Sequence, residues 1–156
     1  MNTRSELFSI KHTPNIAEAT YSTGDVMTEG ESLNNAVAEP GSCSILQSIT
    51  AIDMSDTGGT IYVIITDNSG DLGTVGSAIN MADAAADNSM AIVELSNWTD
   101  VGGAQVCSKG NIGLICKASE SSASKVLYYG VVNVSGGDIV IGSGEDIIFQ
   151  FGFVRS

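Results

Sequence analysis

The residues spaced most closely for binding a cation lie in the segment Asp67-Asn68-Ser69-Gly70-Asp71. Carboxylate and amide oxygens at such short spacing can surround a calcium ion. An EF-hand loop starting at Asp67 would have glycine at its sixth position and glutamate at its twelfth, where this chain has Leu72 and Ala78. Because the same residue types form ordinary β-turns, a turn is favoured, and Asp67 and Asp71 remain a possible ion or ligand loop.

Acid–base catalysis would need two carboxylates held together in a cleft, as in glycosidases. The chain has 18 Asp and Glu residues, but most lie in predicted turns or at strand ends, where solvation accounts for them. The single histidine, His12, and the cysteines Cys43, Cys107 and Cys116 show no zinc-binding or CxxC spacing. The sequence predicts no catalytic residue, no metal and no cofactor, with a glycosidase-like enzyme as a distant alternative.

The aromatic residues offer one candidate for ligand binding, Trp98, whose ring could serve as a carbohydrate platform. One tryptophan is a narrow basis for such a module, so a ligand-binding or carbohydrate-binding sandwich is kept as an alternative. Phe149, Phe151 and Phe153 alternate along the last predicted strand and share one face, which indicates core or a subunit contact.

Composition limits the classes of protein that this chain can belong to. Its 156 residues suit one domain, and 43% of them are hydrophobic while only 15% are charged. The net charge of −12 disfavours binding to nucleic acid or to an anionic membrane. No apolar run reaches the length of a membrane span, and the first ten residues lack the pattern of a secretory signal, so we expect intracellular synthesis.

Short β-rich runs separated by Gly, Ser, Asn and Asp predict an all-β fold. Ser44 to Met54 alternates clearly, and the turn Asp56-Thr57-Gly58-Gly59 with Thr60 to Thr66 predicts that the two strands form a hairpin. An alanine-rich stretch predicts one short helix near 79–87. The remaining predicted strands are 25–28, 32–38, 90–95, 105–108, 111–117, 126–134, 138–141 and 147–154. The long connection 70–88 favours an antiparallel β-sandwich that is jelly-roll-like.

The N-terminal segment lacks a sustained period and contains Pro14, so residues 1–19 are predicted to form an extended arm without a strand, and residues 20–156 a single β-sandwich domain. We expect this arm to contact a neighbouring subunit. Its apolar residues Leu7, Phe8 and Ile10 would supply packing. Arg4 and Lys11 would place positive charge on an acidic neighbour.

Several short stretches follow one another in a recognisable order. They are Tyr21-Ser22-Thr23-Gly24-Asp25-Val26, Asn35-Ala36-Val37, Gly41, Ile45-Leu46-Gln47-Ser48-Ile49, Asn111-Ile112-Gly113-Leu114, Lys117-Ala118 and the Phe-rich last strand. Taken in order, these stretches resemble small β-rich virion proteins of tailed phages. The similarity runs from about Thr20 to Val154 and consists of order and spacing. Proteins of this kind include the decoration, or cement, proteins of capsids, which have a sandwich or jelly-roll fold.

The resemblance implies a non-enzymatic structural protein that is synthesised in the host cytoplasm and lies on the capsid surface of a phage virion. Its expected partners are the major capsid protein and further copies of itself in a homo-oligomer, for which a trimer is expected. A tail or fibre component is the alternative within the same particle. Low charge density and a large apolar fraction agree with a subunit whose faces are buried against neighbours.

Overall fold

A computed structural model describes residues 5–69, 72–120, 124–144 and 146–155. The elements are β1 Glu6–His12, β2 Ala19–Tyr21, β3 Val26–Leu33, β4 Cys43–Asp53, β5 Ile61–Thr66, α1 Asp83–Ala86, β6 Ser89–Leu95, β7 Thr99–Asp100, β8 Gln105–Lys109, β9 Leu114–Lys117, β10 Leu127–Asn133, β11 Ile139–Ile141 and β12 Ile147–Arg155. Within these ranges, no helix combines the length and the apolar composition that crossing a bilayer would require.

The strands form two main antiparallel sheets. The first has the order β1-β12-β4-β8-β7, with β9 also paired to β4, and the second has the order β3-β10-β5-β6. The pairings are nested along the chain: β1 with β12, β3 with β10, β4 with β8 and β9, and β5 with β6. A long hairpin whose successive strand pairs alternate between two sheets is a jelly roll, so the predicted all-β, jelly-roll-like sandwich is confirmed.

The core lies between the inward faces of the two sheets. Phe149, Phe151 and Phe153 point inward from β12, with ring centroids 6.0 and 6.4 Å apart along the strand. Tyr129 of the second sheet lies 4.9 Å from the Phe151 ring. All four side chains are buried, so the alternation of the last strand encodes core packing within this chain.

The second sheet is also partly covered on its outer face, by the connection between β5 and β6. Leu72 of this connection is buried there with Val26, Ile64 and Val132. The Glu29 carboxylate accepts the backbone N–H of Leu72 at 2.7 Å. The only helix in the described chain, α1, lies in this connection and inside the predicted range 79–87.

The prediction that residues 1–19 contain no strand is wrong. Glu6–His12 is β1, paired over its whole length with β12, and Ala19–Tyr21 is β2, paired with β11. The alternation of Phe8, Ile10 and His12, which face the core, is the physical reason. The N-terminal segment is therefore part of the sandwich from Glu6 onward.

The predicted hairpin of β4 with β5 is also wrong, because the two strands lie in different sheets. The Asp53 carboxylate accepts the backbone N–H groups of Ser55 and Gly58 at 2.9 Å each, and the chain crosses between sheets there. The pairing of β4 with β12 shifts register between Gly152 and Phe153 of β12. This shift leaves Gln47 of β4 without a partner residue in β12. This bulge places Leu46 and Ile49 on the same inward face, whereas strict alternation separates them.

The segments 25–28 and 32–38, predicted as two strands, include most of one strand, β3. Gly30 lies in its middle with φ 64°, a conformation that glycine adopts easily, and the pairing with β10 shifts register beside it. The break in the sequence pattern therefore marks an irregularity inside a strand.

Candidate interaction surface

The first sheet presents an outward face, defined as the outward-pointing residues of β1, β12, β4, β8 and β9. One row of apolar side chains crosses it in register: Leu7 is opposite Val154, Val154 opposite Ile45, and Ile45 opposite Ile115. Leu7 is 82% exposed and Ile115 66%. Ile45, Ile115 and Val154 line a shallow cavity of about 330 Å³. Aligned apolar groups left open to solvent are typical of a surface that binds another protein.

A second apolar row crosses the same face further along the strands. Ile148 is opposite Ile52, and Ile52 is opposite Val106. Polar and small residues separate the two rows, including Thr50 and Ser108, whose hydroxyl oxygens are 3.0 Å apart. The outward face is therefore apolar at two levels and hydrogen-bonding between them.

The outward face carries no carboxylate among the described residues of its strands. Its positions are Leu7, Ser9, Lys11, Cys43, Ile45, Ser48, Thr50, Ile52, Val106, Ser108, Ile115, Lys117, Ile148, Gln150, Gly152 and Val154. The whole chain has 18 Asp and Glu and a net charge of −12. Depletion of charge at the centre of a surface is a compositional mark of protein interfaces.

The two sheets differ in their cations more than in their carboxylates. The strands of the first sheet contain three carboxylates, Glu6, Asp53 and Asp100, but also four cations, Lys11, Lys109, Lys117 and Arg155. The strands β3, β5, β6 and β10 contain Glu29, Glu31 and Glu94 and no Lys or Arg. Asp83 and Asp87 add negative charge at α1. The molecule is thus electrostatically two-sided, with the carboxylate-free face on one sheet and an acidic surface on the other.

Arg155 holds the edge strand β1 in place beside this face. Its Nε donates to the Glu6 carboxylate at 3.0 Å, and its Nη1 donates to the carbonyl of Asn35. The guanidinium carbon lies 4.3 Å from the centroid of the Phe8 ring, which itself stacks on Phe153 at 5.6 Å. An ion pair, a backbone hydrogen bond and a cation–π contact therefore converge on one side chain.

The residues predicted as an interface from the N-terminal segment divide between the two faces of β1. Leu7 and Lys11 point outward and are exposed. Phe8 and Ile10 point inward and pack, half-buried, against this chain's own core. Arg4 lies outside the described residues.

Two of the residues predicted for a possible ion or ligand site, Asp67 and Trp98, lie beyond opposite ends of the paired strands β5 and β6. Asp67 is half-buried, its Oδ1 has no hydrogen-bond partner in the described chain, and Asp71 lies outside that part of the chain. Trp98 is half-buried against the core, away from Asp67, so its ring is not an open platform. Among the described residues, no three His, Cys, Asp or Glu side chains are placed to hold a metal ion.

The three cysteines are unpaired, and they differ in exposure. Cys107 and Cys116 are buried, and burial raises the pKa of the Cys116 thiol to about 11. Cys43 is exposed, because it lies at the first position of β4 on the outward face. It is therefore the one cysteine that a reagent in solution can reach.

The sequence reasoning missed Ile45, Ile115 and Val154 as surface residues. Each looks like an ordinary core residue of a β-strand, and they are far apart in the chain. Only the register of β12, β4 and β9 aligns them with Leu7. The one local signal is the alternation in β4, which assigns Ile45 and Leu46 to opposite faces.

No protein-family model and no curated protein sequence matches the chain. Three solved structures from viruses align over nearly all of it. A virus-like particle of the extra small virus of the prawn Macrobrachium rosenbergii is 7% identical, covering 100% of this chain and 82% of that one, with a TM-score of 0.32. Desmodium yellow mottle tymovirus is 11% identical over 99% and 82%, with a TM-score of 0.31.

A heated full particle of Israeli acute paralysis virus is 9% identical, covering 97% of this chain and 70% of that one, with a TM-score of 0.31. Structural similarities with such low TM-scores and identities give no evidence about function. The functional interpretation therefore rests on the chain's own strand order and surfaces.

Proposed function

We propose that this protein is a structural component of a virion, a decoration or cement subunit that binds the outside of a capsid shell and associates with copies of itself. The observation that carries the proposal is the exposed apolar row Leu7, Val154, Ile45 and Ile115 on a face without carboxylates. The jelly roll is compatible with this role, since viral capsid domains have this fold. Lectins have it too, so the proposal rests on the surface.

The proposed mechanism is mechanical. The outward face packs against shell proteins, while the acidic second sheet points to solvent and keeps crowded copies apart. A subunit that contacts several shell proteins at once gains effective concentration, so many weak contacts oppose the pressure of a packaged genome. No bond is made or broken in this account.

The test is binding of the purified protein to empty shells assembled from the major capsid protein of the same virus, measured by co-sedimentation. Ile115→Lys places a charge in the apolar row and is expected to weaken binding at least about tenfold, the equivalent of about 1.4 kcal/mol. Ile92→Lys is the matched control, because Ile92 is a strand residue of the second sheet with 57% exposure.

Equal binding by the two variants, or no binding of the unchanged protein to shells, would refute the proposal. Binding to isolated tails in place of shells would favour the tail or fibre alternative. A monomer that binds calcium or an oligosaccharide, and binds neither shells nor tails, would favour a ligand-binding module.

A further inference from the structure

The outer edge of β1 has no neighbouring strand in the described chain. β1 is the first strand of its sheet, and only β12 pairs with it. It is seven residues long, contains neither proline nor glycine, and pairs with β12 without a register shift. A long, regular edge strand presents a row of backbone N–H and C=O groups that another strand can pair with.

The other long edges of the sandwich are less suitable for pairing. β3 carries the irregularity at Gly30, next to register shifts with β10. At the edge strand β6, the Lys109 ammonium donates to the backbone carbonyl of Glu94 at 3.2 Å and occupies that acceptor. β7 and β9 have only two and four residues.

Charge also makes β1 suitable for contact between like molecules. Two copies of a chain with net charge −12 repel each other at most surfaces. In β1, however, the Glu6 carboxylate is paired with Arg155 at 3.0 Å, and Lys11 adds a positive charge. The edge of β1 is thus one of the places where two copies can meet without repulsion.

We propose that two copies of this chain pair through β1, antiparallel, about a two-fold axis at Ser9. This register places Phe8 opposite Ile10 of the partner subunit on the inward face. On the outward face it places Leu7 opposite Lys11 of the partner subunit. Glu6 then lies opposite His12 of the partner subunit, so no like charges face each other.

This register covers the side chains that β1 leaves partly open. Phe8, Ile10 and His12 are half-buried on the inward face, and a second β1 extends the core over them. Leu7, which is 82% exposed, receives the methylene stem of a lysine whose ammonium stays in water. Both faces of the edge strand therefore gain contacts from one pairing.

The geometry of the pairing has a consequence for the outward faces. A two-fold axis between antiparallel strands of one sheet is perpendicular to that sheet, so the outward faces of both copies point the same way. With strands about 4.8 Å apart and residues about 3.3 Å apart, four strands by nine residues cover roughly 570 Å². Two such faces exceed the roughly 800 Å² per partner of a standard interface, which one face alone does not reach.

This inference deepens the self-association included in the proposed function, and cysteine cross-linking tests it without any shell. The variants are Ser9→Cys and the control Lys11→Cys, both in a Cys43→Ser background so that no other exposed thiol is present. In the proposed register the two position-9 Cα atoms lie about 4.5–5.5 Å apart, within disulfide range. The two position-11 Cα atoms lie roughly 14 Å apart, because four residues separate them along the strands.

We expect the unchanged protein to sediment as a dimer at tens of micromolar, and Ser9→Cys to form a disulfide-linked dimer at least tenfold faster than Lys11→Cys under mild oxidation. Equal rates for the two variants would overturn the pairing, as would a monomer at all concentrations. A trimer without the Ser9→Cys cross-link would also overturn it. Shell binding is measured separately, so a dimer that fails to bind shells refutes the proposed function and leaves the pairing intact.

Discussion

At the scale of single residues, Gly130 of β10 is one of the positions that leave no room for a side chain. A Cβ there would meet the carbonyl oxygen of Thr28 at 2.9 Å and would overlap Leu72. Gly130→Ala is expected to destabilise the protein by about 1–3 kcal/mol, because the connection that carries Leu72 must move outward. The free energy of unfolding in urea measures this.

The control for that substitution is Gly136→Ala. An added Cβ at Gly136 has no atom within 4 Å, so its effect should stay within about 0.5 kcal/mol. If both variants unfold at the same urea concentration, Leu72 does not pack on β10 as described.

Tyr129 makes the stability of the folded protein fall at alkaline pH. Its hydroxyl is 2.8 Å from Nδ1 of His12, and burial raises the pKa of the phenol above its ordinary value of 10.0. The folded protein holds this proton more tightly than the unfolded chain does. The resulting stability is fully present below pH 10 and is lost as the pH rises above it.

Tyr129→Phe is therefore expected to cost about 1 kcal/mol at pH 7, through the lost hydrogen bond to His12. Between pH 10 and pH 11 the unchanged protein should lose about 1 kcal/mol of its free energy of unfolding through this phenol. The variant has no phenol at this position, so the difference in free energy of unfolding between the two proteins should shrink by that amount. Tyr21, whose pKa is also raised by burial, titrates equally in both proteins. Parallel urea midpoints from pH 7 to pH 11 would contradict the account.

At the scale of strands and sheets, the sequence predicts what depends on local periodicity. The alternation of Phe149, Phe151 and Phe153 correctly identifies a strand with one buried face, and the alanine-rich stretch correctly places the short helix. The partner of a strand can be distant in the sequence, and periodicity does not identify it. The sequence therefore predicts a hairpin of β4 with β5, although β4 pairs with β12, about a hundred residues later. The apolar row on the outward face depends on the same distant pairings, so no local pattern could reveal it.

Arg155 adds three side-chain contacts to the backbone pairing that holds the edge strand β1. Arg155→Ala removes the ion pair with Glu6, the hydrogen bond to Asn35 and the contact with the Phe8 ring. We expect the amides of β1 to exchange with deuterium at least about tenfold faster, while those of β5 and β10 stay protected. Hydrogen–deuterium exchange followed by mass spectrometry measures both regions in one experiment.

Lys125→Ala is the matched control, since it also removes a cation, but from an exposed pair with Glu39 at 3.4 Å. Such exposed pairs contribute little, so exchange in β1 should be unchanged. Equal acceleration by the two variants would mean that Arg155 does not anchor the strand.

At the scale of the whole molecule, the jelly roll separates two surfaces of different chemistry. The outward face of the first sheet has apolar rows and lysines, whereas the strands of the second sheet contain Glu29, Glu31 and Glu94 and no cation. In the proposed function, the first sheet contacts other proteins and the second sheet keeps the exposed surface acidic. This arrangement accounts for the combination of low charge density and high net charge that the composition shows.

A reconstruction of the assembled virion at side-chain resolution tests this account most directly. The proposed function predicts that this chain lies on the shell and that its second sheet faces solvent. The side chains of Leu7, Val154, Ile45 and Ile115 are then buried against shell protein. Finding the chain with that row open to solvent, or with Glu29, Glu31 and Glu94 pressed against the shell, would contradict it.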